Sequence, residues 1–138
     1  SNLEWLKAKS EHAFHKADVR DAAEVERIVR QTKPDALLHL AAQVAVTTSV
    51  VDPRLDFEIN ALGTFNVLEA VRQHSPGTFV INASTNKVYG KMEDCGTEER
   101  NGRYEYSDLP RGVSEQQALD FHSPYGCSKG VADQYVID

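Results

Sequence analysis

Two short apolar runs, DALLHLAA (35–42) and TFVINAS (78–84), limit this chain more than any other feature. Each is continuous rather than alternating and is bounded by turn residues, the pattern of a strand covered on both faces. Between them, roughly 53–74 is apolar on several sides and opens with Pro53, which suits the first turn of a long helix. Ser75-Pro76-Gly77 stops that helix. Strand, helix and strand in this order form a βαβ unit, so the fold class is α/β with a parallel sheet.

The flanking segments extend the pattern. Leu3, Trp5, Leu6 and Ala8 alternate with charges as in a short amphipathic helix over 3–9. HAFHKADVRD (12–21) reads as a short strand running into a loop. DAAEVERIVRQTK (21–33) puts Ala22, Val25, Ile28 and Val29 on one helical stripe, with Asp21 as N-cap. Residues 91–121 are polar and aperiodic and read as a long loop, a length that usually has a functional role. A last helix starts at Ser123, with Ser123 as N-cap and Pro124 at its first position.

At 138 residues the chain has the length of one domain. Its net charge of −6 argues against nucleic acid or an anionic membrane as partner, because phosphate binding wants a basic face. Cys95 and Cys127 form neither a disulfide framework nor a metal knuckle, and the five histidines have no ligand spacing, so no metal is expected. With no signal peptide and no long apolar run, the expected location is the cytoplasm. The chain begins without methionine inside a helical pattern and ends at QYVID in another, so a segment of a longer protein is expected.

Parallel sheets bind ligands beyond the carboxyl ends of their strands. Here those places follow Ala17, Ala42 and Ala83. They present Asp18-Val19, then Ala41-Ala42-Gln43, then Ser84-Thr85-Asn86. In SPYGCSKG (123–130), Tyr125 and Lys129 are four residues apart and share a helix face. A tyrosine serves as general base only when its phenol ionises well below its usual value, and a neighbouring ammonium and a helix N-terminus both favour that. The YxxxK spacing is weak alone, and a solvated helix surface explains it equally. Asn60, in the middle of the long helix, is either a core hydrogen-bonding group or part of a site. His39 reads as a satisfied core histidine, and Cys127 as packing.

Five segments, ADVRD (17–21), HLAAQVAV (39–46), NALGTFNVLEA (60–70), NASTNKVYG (82–90) and SPYGCSKG, resemble in order and spacing the extended short-chain dehydrogenase/reductases that act on nucleotide sugars. The resemblance implies a partial Rossmann-like, doubly wound parallel sheet and a tightly held NAD. Asp18 would meet the adenine amino group, with Val19 beside the ring. Ala41, Ala42, Gln43 and Ala83 would line the cofactor, and Asn60 matches the family's buried helix asparagine. Thr85, Tyr125 and Lys129 match the catalytic triad. Lys129 and Tyr125 would also touch the nicotinamide ribose region.

Within the family, STNKVYG, the 91–120 insertion and residues 119–138 favour an epimerase of a CDP-sugar. Such an enzyme oxidises C2 transiently to a 2-keto sugar and returns the hydride to the opposite face, in bacterial surface-polysaccharide (O-antigen) synthesis. Related dehydratases carry acidic residues after the threonine. Here Asn86-Lys87 follow Thr85, which favours epimerisation over loss of water. The eight glycines make no GxxGxxG, so the family's first βαβ unit is lacking, as is the C-terminal substrate domain. The segment alone is therefore expected to be inactive. Two alternatives remain: a UDP-glucose 4-epimerase-like enzyme, and a non-catalytic folding or dimerising module. Self-association would use the helices at 53–74 and 125–138.

Overall fold

The computed structural model describes residues 2–9 and 11–138, without the side chains of Asn2, Leu3 and Lys7. Helix α1 (Asn2–Lys7) leaves Trp5 and Leu6 exposed, while the side chain of Leu3, assigned above to its apolar face, lies outside the described residues. Helix α2 (Ala22–Thr32) has the expected cap, with the Asp21 carboxylate accepting from the Glu24 N–H at 3.1 Å. Lys33, at φ 41°, closes it by donating its N–H to the Val29 carbonyl. Val25 and Val29 are the buried stripe, Ile28 is half-buried and Ala22 faces solvent.

Strands β1 (Ala36–His39) and β2 (Phe79–Asn82) pair in parallel, Ala36 opposite Phe79 and His39 opposite Asn82. Leu37 and Val80 pack against Val25 and Val29 of α2 and Val67, Ala70 and Val71 of α5 (Gly63–His74). The α/β class therefore holds, but coverage of both sheet faces does not. Leu38 is 61%, Leu40 66% and Phe79 67% exposed, because no described element packs on that face. Residues 12–21 are also not a strand: a strand exists by pairing, and none of the described residues forms a ladder with them.

The long helix comes in three pieces: α4 (Pro53–Phe57), a π-helical turn (Glu58–Leu62) and α5. Asp52 caps α4 by accepting from the Leu55 N–H, with Pro53 at the first position. In the π turn, the Gly63 N–H reaches back five residues to the Glu58 carbonyl. A further helix, α3 (Val46–Val51), precedes them; its β-branched sequence gives little local helix signal.

The expected loop over 91–121 contains an antiparallel hairpin, β3 (Thr97–Arg100) and β4 (Arg103–Tyr106). It turns on Asn101 and Gly102, at φ 53° and 78°, the positive pair a two-residue hairpin turn requires. The Asn-Gly dipeptide was the readable signal, but TEER and RYEY lack the apolar alternation that usually accompanies it. Helix α6 (Ser123–Ile137) follows. Its cap position falls on His122, one residue before the expected Ser123, yet the Ser123 hydroxyl still accepts from the Gly126 N–H at 3.3 Å.

Candidate active site

The edge beyond β1 is held from behind by amides. Asn60 Oδ1 accepts from the Gln43 N–H at 2.9 Å, and Asn60 Nδ2 donates to the Gln43 carbonyl at 3.1 Å. The Gln43 side chain donates to the Ala45 carbonyl at 2.8 Å and to Asp56 Oδ1 at 3.0 Å, and its oxygen accepts from the Ala45 N–H. The chain is thus pinned through Gln43, leaving Ala41 exposed and Ala42 half-buried as a low ledge. His39, just before the ledge, is the satisfied core histidine expected. Its Nε2 lies 3.0 Å from Thr64 Oγ1, which itself donates to the Asn60 carbonyl at 2.6 Å. Burial, and then the Lys129 ammonium, hold the His39 imidazole below its usual value.

Beyond β2, the Ala83 carbonyl accepts from Lys129 Nζ at 2.6 Å. That bond carries the ammonium of α6 to the strand end. Thr85 caps a 3₁₀ turn (Asn86–Tyr89), its hydroxyl accepting from the Lys87 N–H at 3.3 Å. Thr85 also lines a cavity of about 1110 Å³, with Ser84, Asn86, Met92 and Tyr106 among its walls. The Tyr106 hydroxyl lies 3.6 Å from Met92 sulfur, which brings the hairpin to the cavity rim. Tyr125 and Lys129 are not among the lining residues, so the cavity meets the candidate triad through Thr85.

On α6 both Tyr125 and Lys129 are buried. The Tyr125 N–H donates to Ser49 Oγ at 3.2 Å, so α3 holds the first turn of α6. Burial pushes the Lys129 ammonium below its usual value, opposed by the negative charges of Asp133 and Asp56. Ser128, between the pair in sequence, points into the network of Asp56 and Asn60.

Asp18 and Val19 are joined to this assembly through α5. Asn66 Nδ2 donates to the Val19 carbonyl at 2.9 Å, and Val19 Cγ2 packs where a Cβ on Gly63 would lie. The Asp18 carboxylate is exposed and paired with Arg20, which lowers its pKa to about 2 and keeps it a hydrogen-bond acceptor at any ordinary pH. The sequence reading missed Ser49, Asp56, Gly63, Asn66 and Ser128. Polar residues and a glycine within apolar helices were the available signal. Among the described residues, no group of three His, Cys, Asp or Glu could hold a metal ion.

The chain is similar over 137 residues, at 50% identity, to the CDP-paratose 2-epimerase of Salmonella typhi, covering 99% of this chain and 40% of that protein. The UDP-Glc/GlcNAc 4-epimerase of Campylobacter jejuni has a similar structure, with TM-score 0.77 and 27% identity over 96% of this chain and 35% of that one. The UDP-glucose 4-epimerase of Thermus thermophilus, solved in complex with NAD, gives TM-score 0.67 and 35% identity over 88% of this chain and 34% of that one. The chain thus spans about two fifths of the length of the curated relatives it matches. The GDP-mannose 4,6 dehydratase family matches residues 1–138, and with that match end to end, the chain belongs to this family, among the extended short-chain dehydrogenase/reductases.

Proposed function

We propose that this chain is the middle part of the NAD-binding domain of a nucleotide-sugar epimerase that inverts C2 of a CDP-sugar. The observation that carries the reading is the fixed Lys129 ammonium: it shares α6 with Tyr125 and bonds the strand end two residues before Thr85. The relative at 50% identity, a CDP-paratose 2-epimerase, supports the choice of nucleotide and carbon.

The residues present fit NAD by their donor set. Lys129 commits one N–H to Ala83, which leaves donors for ribose hydroxyls. Asp18 offers a carboxylate acceptor for an amino group, and Ala41 and Ala42 let a flat ring approach the backbone. When bound, NAD supplies reversible uptake of hydride from the sugar carbon. Tyr125 takes the proton from the 2-hydroxyl and later returns it to the same oxygen. Thr85 hydrogen-bonds that oxygen, and Lys129 holds the ribose of the bound cofactor. Loss of water would need a further acid and base after Thr85, and Asn86 and Lys87 supply no carboxylate there.

Self-association through α4–α5 and α6 is part of the reading: Phe57, Leu62, Phe65 and Tyr135 are exposed there, with Phe65 and Tyr135 edge to face at 5.5 Å. A cytoplasmic setting in surface-polysaccharide (O-antigen) synthesis suits the two free cysteines. No helix among the described residues is long and apolar enough to cross a membrane. The test is to incubate the full-length protein separately with CDP-paratose and UDP-glucose. Turnover of the CDP-sugar is expected, and turnover of the UDP-sugar alone would move the assignment to a 4-epimerase. Tyr125→Phe should abolish turnover while NAD binding persists. On the 138-residue chain alone, calorimetry should find no saturable micromolar NAD binding.

A further inference from the structure

Asp56, near the end of α4, is a carboxylate with 1% exposure that the mechanism above does not use. Its partners are all neutral donors. Gln43 Nε2 lies 3.0 Å and Asn60 Nδ2 3.1 Å from Oδ1, while Ser128 Oγ donates to Oδ2 at 2.5 Å. Those three belong to the ledge after β1, the π turn and the helix carrying Tyr125 and Lys129. Ser128 is also reached by Asn60 Nδ2 at 3.2 Å, so the network closes on itself. A buried carboxyl group is a costly way to hold helices together, and apolar packing would do so more cheaply. What a carboxylate adds is two acceptor oxygens at a fixed spacing and a negative charge.

We propose that Asp56 is a positioning residue of the epimerase, setting the distance between the Ala41–Gln43 ledge and the Tyr125–Lys129 helix through its two oxygens. The inference rests on the reading of those residues given under Proposed function. Asp56 also acts on Lys129 by charge. Lys129 faces Asp56 from α4, Asp133 from its own helix, His39 from β1 and Tyr125 one turn earlier. Burial lowers the Lys129 pKa, and the Asp56 charge opposes that shift.

The test uses Asp56→Asn and Ser128→Ala in the full-length protein. Asp56→Asn keeps one acceptor for Gln43 and Asn60 but presents a donor, not an acceptor, to Ser128. Its kcat is expected to fall about 10- to 100-fold, the range a small misplacement of reacting groups causes, with KM for the sugar within about two-fold. Its alkaline limb should move to lower pH, as should the titration of the Lys129 ammonium followed by NMR. Ser128→Ala should lower kcat without moving either titration, because the charge remains. The double variant should be no slower than Asp56→Asn, since both changes cut the same link.

Wild-type kcat in Ser128→Ala, or an unmoved Lys129 titration in folded Asp56→Asn, overturns the proposal. If Asp56→Asn does not fold, the Ser128→Ala result decides it. A wild-type protein that turns over no nucleotide sugar refutes the epimerase reading instead, while the Lys129 titration still judges Asp56.

Discussion

Gly63→Ala is expected to destabilise this protein, against the gain of about 1 kcal/mol that alanine normally brings to a helix interior. Gly63 is buried at the start of α5 with helical backbone angles, so its backbone does not demand glycine. The obstacle is Val19: an added Cβ would lie 2.7 Å from Val19 Cγ2 and 3.1 Å from its Cβ, leaving it about 0.7 Å short of ordinary contact with the former. Val19 cannot yield easily, being stiff at χ1 and having its carbonyl held by Asn66 at 2.9 Å. Overpacking of this kind costs about 1–3 kcal/mol, so after the propensity gain a net loss near 1 kcal/mol remains. For a chain of this length that is a fall of about 4 °C in Tm. Thermal and urea unfolding followed by circular dichroism would measure it. Gly77→Ala, in the turn after α5 with nothing within 4 Å of the added Cβ, is the control for adding a methyl group without a clash. Removing Val19 Cγ2 by Val19→Ala in the Gly63→Ala background should recover part of the loss. A Gly63→Ala protein more stable than wild type by the full helical increment would refute the steric argument.

Other outcomes follow from single features. Both amide atoms of Asn82 are buried without a partner among the described residues, so Asn82→Leu should raise stability by about 1–3 kcal/mol in urea unfolding. A loss would mean that the amide is bonded. His39 is held neutral in the fold, so the unfolded chain binds more protons in mild acid, and stability should fall as pH drops from about 6.5 towards the lowered folded value. His39→Gln should flatten that slope in unfolding measured across the window. Gly102→Ala, at φ 78°, should cost the hairpin about 1–2 kcal/mol. Because β3 and β4 pack chiefly on each other, amide exchange over 97–106 should quicken while the global midpoint barely moves.

Features written in nearby residues could be read from the sequence; those that depend on distant partners could not. Asp21 caps α2, Pro53 opens α4 and Pro124 opens α6 because caps and first turns are short-range chemistry. The apolar runs revealed β1 and β2, but not that Leu38 and Phe79 would face outward, since burial depends on what covers a face. The segment before Asp18 reads as a strand by composition, but among the described residues it has no paired neighbour that would make it one. Helix α3 was invisible locally, as β-branched residues disfavour it; it packs against α4 and α6, with Ser49 beneath the Tyr125 N–H, 76 residues away. Asn60 was singled out as a polar group in an apolar helix, but its partners Gln43 and Ser128 come from other elements.

The π turn at Glu58–Leu62 also constrains how this stretch can change over time. One extra residue in a turn rotates the upstream helix by about 100° relative to the downstream one. Asp56 upstream and Asn60 within the turn point to Gln43 and Ser128; downstream, Thr64 meets His39 and Val67 meets the core. Deleting a single residue here would restore a regular helix and turn one of those two faces towards solvent. Substitutions between 53 and 74 can be accepted one at a time, whereas a change of length would have to be undone at once, so this stretch should hold a constant residue count wherever both faces are in use.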